Sequence, residues 1–245
     1  MLAAELAILQ KKLNGELYFD KTMRILYATD ASAFREMPLA VAFPKNEEDI
    51  AELIHFATKY KTTLIPRTAG TSLAGQVVGS GIVVDVSRYF NKILEINAEQ
   101  KWVRVQPGVV RDELNMALKP YGLFFAPETS TANRAMVGGM VGNTSCGANS
   151  VIYKSTREHL IAAKAVLHDG HAVWFEQLNK NQLLDKLSGR STTSAAEHDV
   201  YKFIHDKLSK IEIQQEIKAQ YPKASIPRRN TGYALDIMAD GAPFN

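Results

Sequence analysis

The fold of this chain is decided by the stretch Pro66-Arg67-Thr68-Ala69-Gly70-Thr71-Ser72-Leu73-Ala74-Gly75-Gln76. Apolar runs on either side of it, at residues 62–66 and 81–86, predict two strands. The loop between them contains small residues, hydroxyls and glycines, with no carboxylate and a single arginine. Such a loop lets several backbone N–H groups approach a phosphate closely and carries no negative charge to repel it. The stretch therefore predicts a cradle for a cofactor that contains a diphosphate.

Working outward from this loop, the sequence pattern predicts a mixture of short strands and helices. Leu2, Leu6, Leu9 and Leu13 stand at helical spacing and predict an amphipathic helix over residues 2–13 that packs in a core or an interface. Asn46, followed by three acidic residues, predicts a helix start after a strand at 39–44. Further strands are predicted at 92–96, 101–106 and 122–126, a hairpin around Asp169-Gly170 at 161–167 and 171–176, and helices at 110–119, 179–187 and 197–218. This order indicates an α+β fold.

A second glycine-rich segment covers residues 127–150 and contains Gly138-Gly139 and Gly142. A loop of this length inside a compact domain is usually functional. Two such segments, each following a predicted strand, indicate a large ligand held from two sides. Neither segment has the Gly-x-Gly-x-x-Gly fingerprint between a strand and a helix, and neither has the Gly-Lys-Ser/Thr of a P-loop. The sequence therefore argues against a nicotinamide Rossmann fold and against an NTPase.

Composition excludes several other classes. The chain has 245 residues, 46% of them hydrophobic, and a net charge of +3 from Lys and Arg that are spread along the chain, which gives no case for nucleic-acid binding. A single cysteine, Cys146, cannot form an internal disulfide or a Cys-x-x-Cys pair. No apolar run reaches the roughly 18–20 residues of a membrane span, and the N-terminus lacks the basic region of a secretory signal. We therefore expect a cytoplasmic protein.

Five separated motifs give the chain its resemblance to a known family. In chain order they are the loop at 66–76, Asp85-Val86-Ser87, Val105-Gln106-Pro107-Gly108-Val109, Pro127, and Gly138-Gly139 followed by Gly142-Asn143 and Gly147. Over about residues 35–245, this order resembles the FAD-binding domain of the flavin-linked oxidases of the vanillyl-alcohol-oxidase or PCMH type. The run Val141-Gly142-Asn143-Thr144-Ser145-Cys146-Gly147 most resembles bacterial D-2-hydroxy-acid dehydrogenases related to D-lactate dehydrogenase, the glycolate oxidase FAD subunit and D-2-hydroxyglutarate dehydrogenase.

The resemblance implies FAD as the cofactor and a PCMH-type fold of two α/β subdomains. It implies an N-terminal helical extension at 1–34 and an FAD-binding domain at 35–245, with its subdomains at about 35–95 and 96–245. It also implies two sets of cofactor-binding residues, one on each glycine-rich segment. These are Pro66, Arg67, Thr68, Ala69, Gly70, Thr71, Ser72 and Gln76 on the first, and Pro127, Glu128, Thr129, Ser130, Gly138, Gly139, Gly142, Asn143, Ser145 and Cys146 on the second.

The mode of FAD attachment follows from one position in the first loop. Some members of the family tether the flavin through a histidine there. No histidine lies between Pro66 and Gln76, and Thr71 stands where that histidine would be. The resemblance therefore implies dissociable, non-covalent FAD.

The reaction implied by the resemblance is the oxidation of a D-2-hydroxy acid of the lactate, glycolate or 2-hydroxyglutarate type by hydride transfer to FAD. No residue here predicts a catalytic base or a metal site, and family members take the base largely from a C-terminal cap domain. We therefore expect an N-terminal portion of a longer protein that is inactive alone, lacking the cap domain and, in the fused form of the family, an iron–sulphur domain. The electron acceptor is unknown, and an acceptor at the inner membrane would make the protein peripheral to it.

Several alternatives stay open. One alternative is an FAD-binding subunit or reductase of the same fold that acts on another substrate. The other is a non-catalytic FAD-binding module. Cys146 is a redox thiol or a packing residue, and Arg228-Arg229 binds near the flavin or only adds surface charge. The histidines at 168, 171, 198 and 205 are expected to be solvated.

Overall fold

A computed structural model of the chain describes residues 2–223, 225–226 and 233–239. The chain divides into two compact units, Met1–Glu158 and His159–Asn245, and each is described by itself. Both contain helices and strands, which confirms the α+β class. The Arg228-Arg229 segment lies outside the described residues.

The first unit is built on a four-stranded sheet in the order β1-β2-β4-β3. Its strands are β1 (Glu16–Tyr18), β2 (Ala40–Phe43), β3 (Leu64–Arg67) and β4 (Ile82–Asp85). β4 pairs in parallel with β2 and with β3, whereas β1 is antiparallel to β2. The two central strands are buried along their whole length, as expected for strands covered on both faces.

Three helices accompany this sheet: α1 (Leu2–Lys12), α2 (Lys21–Leu26) and α3 (Glu47–Tyr60). Leu6, Leu9 and Leu13 are buried in the same hydrophobic core as the central strands, so the predicted leucine stripe is confirmed as core packing. The predicted start of α3 is also confirmed, because the side chain of Asn46 accepts a hydrogen bond from the backbone N–H of Asp49 at 3.0 Å.

A second core in the same unit lies under the ladder of β5 (Ile93–Asn97) and β6 (Trp102–Val105). α4 (Arg111–Leu118) packs its buried leucines there and is followed by a 3₁₀ turn at Lys119–Tyr121. The predicted strand at 122–126 is wrong. The side chain of Asn115 accepts from the N–H of Phe125 at 2.6 Å and donates to its carbonyl at 3.2 Å, so a side chain satisfies this backbone in place of a neighbouring strand.

Residues 127–150 are not one continuous loop. They contain α5 (Val137–Gly142), and α6 (Ser150–Tyr153) and a 3₁₀ turn at Thr156–His159 follow. The expected subdomain boundary near residue 95 lies inside β5, whose Ile93 and Ile96 already pack in the second core. That boundary stays a prediction.

The second unit begins with the hairpin of β7 (Ala162–Val166) and β8 (Ala172–Glu176), which confirms the predicted turn at Asp169-Gly170. The helices are α7 (Lys180–Leu187), α8 (Ala195–Leu208), α9 (Ile211–Gln220) and α10 (Leu235–Ala239). The single helix predicted at 197–218 is wrong, because Lys210 has an extended backbone and the side chain of Gln214 donates to the carbonyl of Leu208 at 2.8 Å.

Among the described residues, no helix combines the length and the apolar character that crossing a bilayer requires.

Candidate cofactor site

The first glycine loop leaves β3 and turns sharply. Gly70 and Gly75 have φ of +64° and +70°, in the left-handed region that favours glycine. A Cβ on Gly70 would lie 2.7 Å from Arg67 Nη2, and one on Gly75 would lie 2.6 Å from Phe34 Cδ2. Both positions therefore require glycine for the backbone conformation and for the close approach of a neighbour.

Backbone donors line this loop. Within the described parts of the chain, the N–H groups of residues 68–72 have no hydrogen-bond partner. These residues are half-buried, and the carbonyl of Gly70 accepts from the N–H of Ala31 at 3.1 Å. A run of unpaired N–H donors with no nearby carboxylate in the loop is suited to an anion such as a diphosphate.

The second glycine segment is positioned by the motif at 105–109. The N–H of Gly138 donates to the carbonyl of Pro107 at 2.8 Å, and that of Val137 donates to Val109 at 3.0 Å. A Cβ on Gly138 would lie 2.4 Å from Pro107 Cβ, so this glycine permits close packing. The motif therefore fixes the start of α5.

The two segments meet directly. Gln76 Nε2 donates to Asn143 Oδ1 at 3.0 Å, and the hydroxyl of Ser72 donates to Gln76 Oε1. A Cβ on Gly139 would lie 2.8 Å from Thr68 Oγ1. Residues that are far apart in the sequence thus line one site, as the hypothesis of a ligand held from two sides requires.

The other predicted residues of the second set lie against the end of that segment. Pro127 is buried, and its carbonyl accepts from Arg111 Nε at 3.1 Å. Glu128 accepts from Asn149 Nδ2 at 2.6 Å, and a Cβ on Gly147 would lie 2.1 Å from the carbonyl oxygen of Glu128. In the described structure, no hydrogen bond joins residues 127–130 to the first loop. Contact of Thr129 and Ser130 with the cofactor therefore stays a prediction.

Ser145 is held through its backbone. Its N–H donates to the carbonyl of Met140 at 2.9 Å, and its own carbonyl accepts both the N–H and the hydroxyl of buried Thr156, at 2.9 and 2.7 Å. The neighbouring Cys146 is half-buried and forms no disulfide. An added Cβ on Gly142 would meet no atom within 4 Å. Contact of Gly142 and of the Cys146 thiol with the cofactor stays a prediction.

Sequence reasoning missed the residues behind the first loop. Arg67 Nη1 donates to the carbonyl of Thr29 at 2.8 Å, and its guanidinium carbon lies 4.9 Å from the centre of the Tyr27 ring. These partners lie about 40 residues upstream in no recognisable motif, so the sequence offered no signal for them. Burial, followed by a hydrogen bond to Asp85, raises the pKa of Tyr27 far above its ordinary value, so its hydroxyl remains a donor.

The donor set fits the diphosphate of FAD, since it offers N–H groups, hydroxyls and close-packed glycines. Among the described residues, no group of three His, Cys, Asp or Glu side chains converges as a metal site would require.

Comparison with known proteins agrees with this geometry. A family model described as the FAD binding domain matches residues 38–176, which is more than half of the chain. D-2-hydroxyglutarate dehydrogenase from Pseudomonas putida is 37% identical over 241 residues, covering 96% of this chain and 23% of that protein. Glycolate oxidase subunit GlcD from Bacillus subtilis is 31% identical over 166 residues, covering 66% of this chain and 35% of that protein. The chain thus spans only about a quarter to a third of the length of these relatives.

A solved structure shows the same fold. The chain resembles 6-hydroxy-D-nicotine oxidase from Arthrobacter nicotinovorans with a TM-score of 0.59 at 20% identity, over 67% of this chain and 36% of that one. The expected PCMH-type fold is therefore confirmed. The chain belongs to the FAD binding domain family, and FAD is its cofactor.

Proposed function

We propose that this chain is the FAD-binding portion of a flavin-dependent dehydrogenase that oxidises a D-2-hydroxy acid to the 2-oxo acid. The proposed substrates are of the lactate, glycolate or 2-hydroxyglutarate type, and the names of the two relatives described above support the last two of these. The observation that carries the proposal is the junction of the two glycine segments at Gln76 and Asn143, beside the unpaired N–H groups of residues 68–72.

The first loop is proposed to bind the diphosphate of the cofactor. Its backbone N–H groups and the hydroxyls of Thr68 and Thr71 are proposed to donate hydrogen bonds to the two negatively charged phosphates. Each hydrogen bond to a charged oxygen contributes about 1.5–3 kcal/mol. Several such bonds support tight binding without a covalent link, after the cost of ordering the ligand is subtracted. Thr71 in place of a tethering histidine supports the same conclusion.

Bound FAD supplies the two-electron acceptor for hydride removal from the hydroxyl-bearing carbon. The residues of this chain bind and orient that group, and their rigid placement limits the geometries in which a substrate can approach it. The base and the residues that hold the substrate carboxylate are proposed to come from a C-terminal cap domain. An iron–sulphur domain, a cytoplasmic location and an electron acceptor at the inner membrane also stay predictions.

The binding step is tested by titrating the purified chain with FAD and, separately, with riboflavin, which lacks the diphosphate. We expect saturable FAD binding and a rise in melting temperature, with riboflavin at least about 100-fold weaker. Denaturation should release the flavin unmodified. Equal affinity for both ligands would contradict a diphosphate cradle.

The reaction is tested in a longer protein that contains the cap domain. Anaerobic addition of a D-2-hydroxy acid should bleach the flavin absorbance, whereas the L enantiomer should not. If FAD binds and no 2-hydroxy acid bleaches it, the open alternative of another substrate replaces this proposal. If chemical reduction of the bound flavin also fails, a non-catalytic module is the better description.

A further inference from the structure

Arg67 is the only charged residue in the sequence of the first glycine loop, and its guanidinium lies close to two neighbours. One face lies over the ring of Tyr27, with the guanidinium carbon 4.9 Å from the ring centre. The guanidinium also lies close to Gly70, where an added Cβ would be 2.7 Å from Nη2 and 3.0 Å from both Nε and Cζ. Tyr27, Arg67 and Gly70 therefore form one contact cluster, called the stack below, and the absence of a side chain at Gly70 leaves room for the guanidinium.

The stack is anchored in the first core. The hydroxyl of Tyr27 donates to Asp85 Oδ2 at 2.7 Å, and Asp85 is 5% exposed at the end of β4. The Tyr27 ring also packs edge-on against Phe43, with ring centres 5.8 Å apart. Asp85 is the residue aligned with Arg67 in the pairing of β3 and β4. The base of the stack therefore cannot move without disturbing the sheet.

The stack determines which way a peptide group of the loop points. The carbonyl of Gly70 accepts from the N–H of Ala31, and Arg67 Nη1 donates to the carbonyl of Thr29 in the same upstream segment. Because a trans peptide places its carbonyl and its N–H on opposite sides, the N–H of Thr71 must point away from that segment. This N–H belongs to the unpaired row at residues 68–72.

We propose that Arg67 is a positioning residue whose guanidinium, held by Tyr27 and the carbonyl of Thr29 close to Gly70, sets the direction of the loop N–H groups before FAD arrives. The inference builds on the binding of FAD through its diphosphate at this loop. It differs from a role in which the Arg67 side chain itself binds the cofactor through its charge. The two roles make opposite predictions for substitutions that keep the charge and remove the flat shape.

The first experiment measures the FAD dissociation constant of Arg67→Lys. Lysine keeps the positive charge but cannot stack flat or fill the same hydrogen-bond geometry, so we expect affinity to fall about tenfold or more. The loss should be similar at low and high salt, because a positioning effect is not screened. Affinity close to that of the wild type, or a loss that depends strongly on salt, would overturn the proposal.

Arg104→Lys is the matched control. Arg104 also lies over an aromatic ring, with its guanidinium carbon 5.5 Å from the centre of Trp102, and it also makes a surface ion pair. It sits on β6, outside both glycine segments. Arg104→Lys should therefore leave FAD affinity unchanged, which separates the effect of the loop from a general effect of losing an arginine–aromatic contact.

A double-mutant cycle with Tyr27→Leu gives a second readout. If Arg67 acts only through the stack, removing Tyr27 already removes most of its effect, so the double variant should bind FAD about as weakly as the weaker single variant. If Arg67 acts directly on the cofactor, the two losses should multiply. Multiplying losses would overturn the proposal.

A readout without FAD separates this inference from the proposed function. Amide hydrogen exchange at Ala31, whose N–H is bonded to Gly70, should accelerate in the Arg67→Lys chain without cofactor and stay unchanged in Arg104→Lys. If the wild-type chain fails to bind FAD, the proposed function fails, while the exchange rate at Ala31 still decides whether Arg67 positions the loop. Unchanged exchange would overturn the positioning role.

Discussion

Glycines in both glycine-rich segments let a neighbour approach closely, but only those in the first loop also provide a left-handed backbone. In the first loop, Gly70 and Gly75 have positive φ and let the chain turn so that backbone donors are presented. In the second segment, Gly138 and Gly147 have ordinary φ, and each lets a neighbour approach to a distance that a Cβ would fill. Similar composition therefore encodes a binding conformation in one region and close packing in the other. Substitutions in the first should mainly weaken FAD binding, and those in the second should mainly destabilise the fold.

The largest effect is expected from Gly70→Ala. The new methyl group would meet the Arg67 guanidinium at 2.7 Å in a left-handed conformation, so the guanidinium must leave its place beside the loop or the loop must shift, and FAD affinity should fall about 100-fold. Gly122→Ala is the matched control, because Gly122 has φ of +67° but no atom within 4 Å of its added Cβ. Both variants carry the strain of a left-handed alanine and should lose stability in a thermal melt, whereas a titration should show lost FAD affinity in Gly70→Ala alone. Equal FAD affinity in the two variants would contradict a role of Gly70 in FAD binding.

Gly147→Ala should test the other half of the comparison. Its Cβ would lie 2.1 Å from the carbonyl oxygen of Glu128, and backbone cannot yield as a flexible side chain can. We expect the free energy of unfolding to fall by about 2 kcal/mol, measured by chemical denaturation without FAD. Unchanged stability with lost FAD affinity would show that this glycine also serves binding directly.

Acid should weaken the contacts of Glu158 with Ser155, which stands next to the residue bonded to the second glycine segment. Burial disfavours the charged form of Glu158, but the ion pair with Arg157 and two hydrogen bonds from Ser155 outweigh it and lower the pKa of Glu158 to about 2. The stabilisation is therefore complete above the unfolded pKa of about 4.5 and is lost as the pH falls towards 2. Because the group is partly exposed, we expect only about 1 kcal/mol.

Denaturation of wild type and Glu158→Gln between neutral pH and pH 2 measures this contribution. The variant should be less stable than the wild type at neutral pH, and the difference should vanish at the acid end. A difference that stays constant with pH would contradict the assignment to Glu158. The glycine loop at 66–76 contains no acidic residue and no histidine, so it has no comparable titrating group of its own.

The smallest effect is expected from Lys154→Gly, just after α6. Lys154 has φ of +64° and ψ of −150°, a conformation that essentially only glycine adopts without strain. The substitution should therefore raise stability by about 1 kcal/mol in spite of the added entropy of the unfolded chain. Lys119→Gly, at a helical backbone conformation, should instead lower it. A loss of stability in both variants would show that Lys154 is held by contacts that outweigh the strain.

The sequence was informative where local chemistry determines structure. The N-cap at Asn46, the leucine stripe of α1 and the hairpin at Asp169-Gly170 follow from spacing and turn preference, and the structure confirms them. The ordered motifs also led to the family and to FAD, which the comparisons confirm. The individual cofactor contacts stay predictions, although the structure brings the two glycine segments together.

Long-range contacts account for what the sequence did not predict. The apolar residues at 122–126 match a strand pattern, but Asn115 takes the backbone bonds of Phe125. The stack on Arg67 depends on Tyr27, about 40 residues upstream, and no local pattern marks that pairing. In both cases a side chain contacts a backbone group or a ring from another segment of the chain. The periodicity of apolar residues carries no information about such contacts.

The bond between Gln76 and Asn143 has a consequence for the maturation of the protein. It joins a loop attached to the first core to a segment attached to the second, and it is exposed to water, so on its own it contributes little to holding the two together. A cofactor bound to both segments adds its binding energy to that junction. We therefore expect the chain without FAD to be cut first by proteases near this junction, and the chain with FAD to resist them for longer.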